Sequence, residues 1–145
     1  MKMKKPLIWV MAVVMTAGVV AWLRAETPTP AIVNLTCAPW DGSAFRVMVP
    51  LDNTTSARVV SVVIYRNAAI HQRITFTFPD ATGKLGTATV ESHAGKFEDM
   101  AGTVTFNGVE AGKAVTGVFD LATPAGEKIH RAFRADWGTE RPLCG

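Results

Sequence analysis

The sequence of 145 residues is poor in residues that carry chemistry, with only two cysteines and three histidines. Cys37 and Cys144 are too far apart to provide the ligand spacing of a zinc site. The 12 glycines are spread along the chain, so there is no glycine-rich phosphate-binding loop. Charged residues make up only 19% of the chain and hydrophobic residues 48%, which excludes a disordered protein. The length fits one domain.

The formal net charge of +3 comes from the N-terminal segment. Lys2, Lys4, Lys5 and Arg24 lie in the first 25 residues, which contain no acidic residue. The rest of the chain has 11 basic and 12 acidic side chains, a net charge of −1. Because such a domain has no bulk positive field, its charge argues against nucleic-acid binding.

An uncharged hydrophobic segment, residues 6–23, follows three N-terminal lysines. This order of basic and apolar residues is typical of an export signal. As a helix, the segment would be about 27 Å long, close to the roughly 30 Å hydrocarbon core of a bilayer. Trp9 and Trp22 lie near its two ends, where aromatic residues anchor helices at the membrane interface.

Two outcomes are compatible with this segment. It is either retained as a signal-anchor helix or removed as a signal peptide by cleavage after Ala21 or Ala25. Because the lysines precede it, a retained anchor keeps its N-terminus in the cytoplasm and crosses the inner membrane through residues 6–23. Both outcomes predict an extracytoplasmic domain, periplasmic or secreted.

An oxidising compartment predicts a disulfide between Cys37 and Cys144. The bond would enclose about 106 residues. In the chain-entropy model, a disulfide that closes a loop of that size stabilises the folded protein by about 4–5 kcal/mol.

The sequence divides into residues 1–25, the signal peptide or anchor, residues 26–31, a proline-rich spacer, and residues 32–145, a β domain. Within the domain, apolar and polar residues alternate with a period of two, which indicates half-buried strands. The clearest strand is 70–78, in which Ile74, Phe76 and Phe78 share one face and Thr75 and Thr77 the other. Further strands are predicted at 32–37, 45–49, 58–65, 87–92, 103–106, 114–121 and 128–137.

These about eight strands are joined by short turns that contain proline and glycine, which favours antiparallel neighbours. The predicted fold is an all-β meander that forms a small barrel or sandwich, preceded by the N-terminal hydrophobic helix. A disulfide between the first strand and the segment after the last one would hold the chain ends together, as a barrel or sandwich does. The longest connection, 93–101, is predicted to be a mobile loop or a single helical turn.

Motifs for catalysis are missing from the domain. Ser43 lacks the second glycine of a nucleophile elbow, and the carboxylates are scattered. His71, His93 and His130 match no known ligand spacing, so they are expected to be solvent-exposed, with a surface metal site or a pH-sensing site as the alternative. We therefore predict that the protein is not an enzyme and has no cofactor and no metal site.

Two sets of side chains are candidates for docking a partner. Trp40 and Trp137 are close in sequence to the two cysteines, so both are expected near one end of the domain. They either cover the disulfide or form an aromatic recognition patch. The second set lies on polar strand faces, which are either solvated surfaces or docking faces. Its members are His71, Arg73, His130 and Arg134.

The sequence thus favours a non-enzymatic extracytoplasmic interaction module with a protein partner, such as an accessory subunit of a membrane complex. The alternative is a small-ligand carrier that uses a barrel interior as its pocket. A metal-binding or enzymatic domain is the third hypothesis.

Overall fold

The structure is a computed structural model that describes residues 26–54, 58–91 and 95–145. Over these ranges the chain forms eleven strands and no helix. Accordingly, the part of the chain described here has no helix long and apolar enough to span a bilayer. The predicted N-terminal helix, its cleavage sites, Trp9, Trp22 and His93 lie outside the described residues.

The strands are β1 (Thr29–Cys37), β2 (Ser43–Pro50), β3 (Val59–Ile64), β4 (Ala69–Ile70), β5 (Ile74–Phe78), β6 (Gly86–Glu91), β7 (Phe97–Asp99), β8 (Ala101–Phe106), β9 (Val109–Glu110), β10 (Val115–Ala122) and β11 (Lys128–Trp137). Nine of them form one sheet in the order β5-β8-β10-β11-β1-β2-β3-β6-β7, and β4 pairs with β9. The large sheet curls into a half-barrel.

The predicted all-β class is confirmed, but the predicted antiparallel meander is wrong. β3 lies beside β6 and β5 beside β8, although neither pair is consecutive in the chain, and one pair of neighbours is parallel. The first and last strands, β1 and β11, are neighbours and run parallel, with Thr29 opposite Phe133 and Val33 opposite Trp137. The structure has eleven strands rather than about eight. Three of them (β4, β7 and β9) have only two or three residues, which is too short for an alternation of apolar and polar residues to be recognised.

Two predicted segments differ in detail. The predicted strand 70–78 is divided into β4 and β5, with residues 71–73 between them. The predicted loop 93–101 contains β7, which pairs with β6. All three residues of β7 are exposed, so its sequence has no apolar alternation by which a strand could be recognised.

Alternating burial explains why the longer segments form strands. In β2, Phe45, Val47 and Val49 are fully buried while Arg46 is exposed. The inner faces of the sheet supply one hydrophobic core. Its largest fully buried members are Phe45, Phe106, Phe119, Phe133, Ile64 and Met100.

The half-barrel has two ends, which position the candidate site. We call the end where β1 begins, at Thr29, the near end, and the end where β1 stops, at Cys37, the far end. Because β1 pairs antiparallel with β2 and β2 with β3, the paired residues Pro50 and Val59 lie at the near end. Ile64 and Gly86, which pair with each other, lie at the far end.

Candidate functional site

A tight turn at the far end carries Trp40. The N–H of Ala38 donates to the carbonyl of Gly42 (2.8 Å), and the N–H of Asp41 donates to the carbonyl of Ala38 (3.0 Å). Asp41 has a positive φ of 62°, a conformation that aspartate tolerates better than most residues. A Cβ at position 42 would lie 2.7 Å from Nε1 of Trp40, so the glycine lets the indole fold over the turn.

The indole of Trp40 rests on Tyr65, and the two rings meet edge to face with centroids 5.2 Å apart. Trp40 is 54% exposed, and Tyr65 is half-buried. The N–H of Tyr65 donates to the carbonyl of Leu85 (2.9 Å), whose side chain is 47% exposed. We call Trp40, Tyr65 and Leu85 the far-end patch: Tyr65 contacts Trp40 through its ring and Leu85 through its backbone, and the side chains of Trp40 and Leu85 are exposed.

The predicted disulfide is present beside this patch. Cys37 and Cys144 are bonded, with their Cα atoms 5.5 Å apart. The bond ties the C-terminal segment to the residue that precedes the Trp40 turn. Such a bond is consistent with an oxidising compartment outside the cytoplasm.

Trp137, the second predicted docking aromatic, has a different environment from Trp40. It is half-buried and packs against the core. Its Nε1–H donates to the carbonyls of Glu110 (3.0 Å) and Lys113 (2.9 Å), which fixes the turn between β9 and β10. These hydrogen bonds and the contact with the core give Trp137 a structural role. Trp40 is therefore the tryptophan of the described domain that remains exposed for docking.

The polar candidates are divided between two places. His71 and Arg73 are exposed in the link between β4 and β5, whereas His130 and Arg134 are exposed on β11. In the sheet order, β8 and β10 separate β5 from β11. The four side chains therefore do not form one cluster.

His130 has contacts that the sequence analysis missed. Its Nδ1 is hydrogen-bonded to a carboxylate oxygen of Asp120 on β10, and its Nε2 lies 3.4 Å from a carboxylate oxygen of Glu26. The hydrogen bond to Asp120 is the main reason that the pKa of His130 is raised above its ordinary value of 6.5, and Glu26 adds to the effect. The hairpin turn at 123–126 could have indicated the Asp120 contact, because it sets Asp120 opposite His130.

Other shifted groups belong to surface turns. The pKa of Asp80 is lowered to about 2, first by the hydroxyl of Thr82 and then by the N–H of Leu85, both of which donate to its carboxylate. Arg58 donates two hydrogen bonds (2.9 and 2.8 Å) to Glu127, which lowers the pKa of that carboxyl. Each shift is explained by a local structural contact.

Within the residues given by the structure, no group of three or more His, Cys, Asp or Glu side chains could hold a metal ion. His71 lies in the link between β4 and β5, His130 lies on β11, and His93 is outside the described residues.

Aromatic rings fill the centre of the half-barrel. Phe106 contacts Phe45, Phe76 and Phe133 with ring centroids 5.6 to 6.0 Å apart, and Phe119 stacks on Phe133 at 6.3 Å.

A depression of about 320 Å³ lies on the outer surface of β2, β3, β6 and β7. It is lined by Arg46, Met48, Val59, Ser61, Val63, Thr87, Thr89, Glu91 and Phe97.

Comparisons of this chain with protein families, curated proteins and solved structures gave no match.

Proposed function

We propose that the protein is a non-enzymatic extracytoplasmic interaction module that docks on a protein partner through its far-end patch. The observation that carries this proposal is the exposed Trp40, held on Tyr65 beside the exposed Leu85. Tryptophan and tyrosine are enriched in protein interfaces, where they supply much of the binding energy.

The patch is suited to docking because it is held in position before any partner arrives. Trp40 is fixed by its turn, by the contact with Tyr65 and by the neighbouring disulfide. A rigid aromatic side chain loses little conformational entropy on binding. The net charge of −1 outside the first 25 residues supplies no long-range attraction, so recognition depends on this local surface.

The position of the patch also fits a membrane-tethered module. β1 has nine residues and runs from the near end to the far end, a distance of about 30 Å at roughly 3.3 Å per residue. If residues 6–23 stay in the inner membrane, the near end faces the bilayer and the patch points into the periplasm. That arrangement suits an accessory subunit of a membrane complex, while a cleaved chain would present the same patch in a secreted domain.

The alternative, a small-ligand carrier, requires an interior pocket of several hundred Å³. The contacts among Phe45, Phe106 and Phe133 occupy the place where such a ligand would bind. The interaction module therefore has the stronger support.

The test is co-purification of the full chain from membranes in mild detergent, followed by mass spectrometry, with Trp40→Ala and Phe97→Ala compared. Both side chains are exposed aromatics, but Phe97 lies at the near end. We expect Trp40→Ala to weaken partner binding by about 30-fold, the equivalent of a 2 kcal/mol hot spot, and Phe97→Ala to bind as the parent does. Equal binding by both variants, or recovery of the chain alone, would contradict the proposal. The recovered N-terminal peptide shows whether residues 1–25 were removed.

A further inference from the structure

The chain reaches β1 through a short segment that lies alongside β11. β1 and β11 are parallel, and Thr29 is opposite Phe133. Extending this register by three residues toward the N-terminus sets Glu26 beside His130. The observed contact between Nε2 of His130 and the Glu26 carboxylate, 3.4 Å, agrees with this extension.

Each of the two ring nitrogens of His130 contacts a carboxylate. Nδ1 faces Asp120 and Nε2 faces Glu26. A neutral imidazole has one N–H and one bare nitrogen, whereas the imidazolium ion has an N–H at both positions. Carboxylates accept hydrogen bonds and do not donate them, so both contacts are favourable only when His130 is protonated.

The other charged groups around the ring are basic. Lys128 lies two residues earlier on the same face of β11, and the guanidinium of Arg131 donates to the backbone carbonyl of His130 (2.8 Å). On β8, the residue opposite Asp120 is Thr103, which does not titrate in this range. The two carboxylates are therefore the acidic groups facing the ring from β10 and from residues 26–28, and the three participating side chains are about half to two-thirds exposed.

We propose that Glu26, His130 and Asp120 form a pH-sensitive bridge that holds residues 26–28 against β11 when His130 is protonated and releases them when it loses its proton. The Asp120 contact joins two strands that are already paired over eight residues, so its loss leaves the hairpin intact. The Glu26 contact involves a residue outside the strands. Deprotonation therefore acts mainly on the segment that precedes β1.

The direction of the pH dependence follows from the raised pKa of His130. The bridge is fully formed at pH values below about 6.5, the value of an unperturbed histidine, as long as the two carboxylates remain ionised. It is lost as the pH rises through the higher pKa of His130 in the folded protein. In a chain retained in the membrane, an acidic exterior would fix the half-barrel against its tether, and an alkaline exterior would free it to reorient.

The test is a ¹⁵N relaxation measurement on the full chain in detergent micelles, with the backbone amide of Thr27 as the reporter. We expect its order parameter to be about 0.8 at about pH 5.5 and to fall below about 0.6 at about pH 9, following the imidazole titration of His130. In His130→Gln, Thr27 should be mobile at both pH values. His71→Gln is the matched control, because His71 is exposed in the link between β4 and β5, and it should behave as the parent.

Two further variants separate the contributions of the carboxylates. Glu26→Gln should free Thr27 at low pH while leaving the Asp120 contact in place. Asp120→Asn should lower the pKa of His130 more than Glu26→Gln does, because the Asp120 hydrogen bond is the largest cause of the shift. A Thr27 amide that stays ordered throughout the titration, or that is equally mobile in the parent and in His130→Gln at about pH 5.5, would overturn the proposal.

Discussion

Gly117, near the middle of β10, has no side chain, and this allows close packing on the inner face of the sheet. An added Cβ would lie 2.7 Å from Cζ of Phe133 and closer still to the carbonyl oxygen of Thr105 on β8. Because Phe133 also contacts Phe106 and Phe119, its ring has little room to move aside. Any larger residue at position 117 must therefore displace a ring or a neighbouring strand.

We expect Gly117→Ala to lower the free energy of unfolding by about 1–3 kcal/mol, the usual cost of overpacking a core. Urea denaturation, followed by circular dichroism, measures this change. Thr77→Ala is the control, because Thr77 is exposed, and it should change stability by no more than about 0.5 kcal/mol. Equal midpoints for the two variants would show that the core adapts to the extra methyl group.

Residue-level prediction from the sequence succeeded where a side chain's role depends on its own strand. The alternation around Phe76 indicates which residues are buried, and the structure agrees. The sequence could not show whether Trp137 packs or docks, because the carbonyls that accept its Nε1–H belong to a turn more than 20 residues away. Glu26 was missed for a similar reason, since its contact with His130 depends on a parallel pairing that has no local signal.

At the scale of elements, Met100 joins β7 to β8 and thereby connects distant parts of the sheet. β7 pairs with β6, whereas β8 pairs with β5 and β10. Between them, the N–H of Met100 donates to the carbonyl of Ala88 on β6 (2.9 Å), and its side chain is buried in the core. One continuous segment, 97–106, therefore contributes to both sides of the curled sheet.

Met100→Ala should lower the free energy of unfolding by about 2–5 kcal/mol, because it removes a fully buried side chain and leaves a cavity in the core. Met48→Ala is the matched control, since Met48 is half-buried on the outer face, and a smaller loss is expected there. Thermal and urea unfolding measure both variants. A loss at Met48 as large as that at Met100 would contradict this account of the junction.

The strands themselves were largely predictable, and their neighbours were less so. Strand β11 was predicted with its observed bounds, because its ten residues are enough for the alternation of apolar and polar side chains to be recognised. A strand at 32–37 was also predicted, but its parallel pairing with β11 was not, since hairpin turns indicate only which consecutive strands pair. The sequence therefore predicted the inner faces of the long strands better than it predicted the order of strands in the sheet.

At the scale of the whole molecule, the Cys37–Cys144 bond spans a sequence separation of 107 residues. It connects the far end of β1 to the segment that follows β11. These strands are already neighbours in the folded sheet, so the bond fits the native geometry and mainly restricts the unfolded chain.

Replacing both cysteines, as Cys37→Ser with Cys144→Ser, should therefore lower the free energy of unfolding by about 2–5 kcal/mol. Urea denaturation of the parent and of the double variant measures the loss. Reduction of the parent with dithiothreitol is the control and should give a similar loss. Unchanged stability after both treatments would contradict a stabilising role for the bond.

The parallel pairing of β1 with β11 also has a consequence for how the chain folds as it is made. β1 is the first strand of the described domain to emerge from a ribosome, and β11 is the last. One edge of β1 therefore stays unpaired until residues 133–137 have emerged, and an unpaired edge can pair wrongly with another chain. Completion of the sheet must follow synthesis of almost the whole domain, so a nascent chain that stalls before β11 is exposed to aggregation through β1.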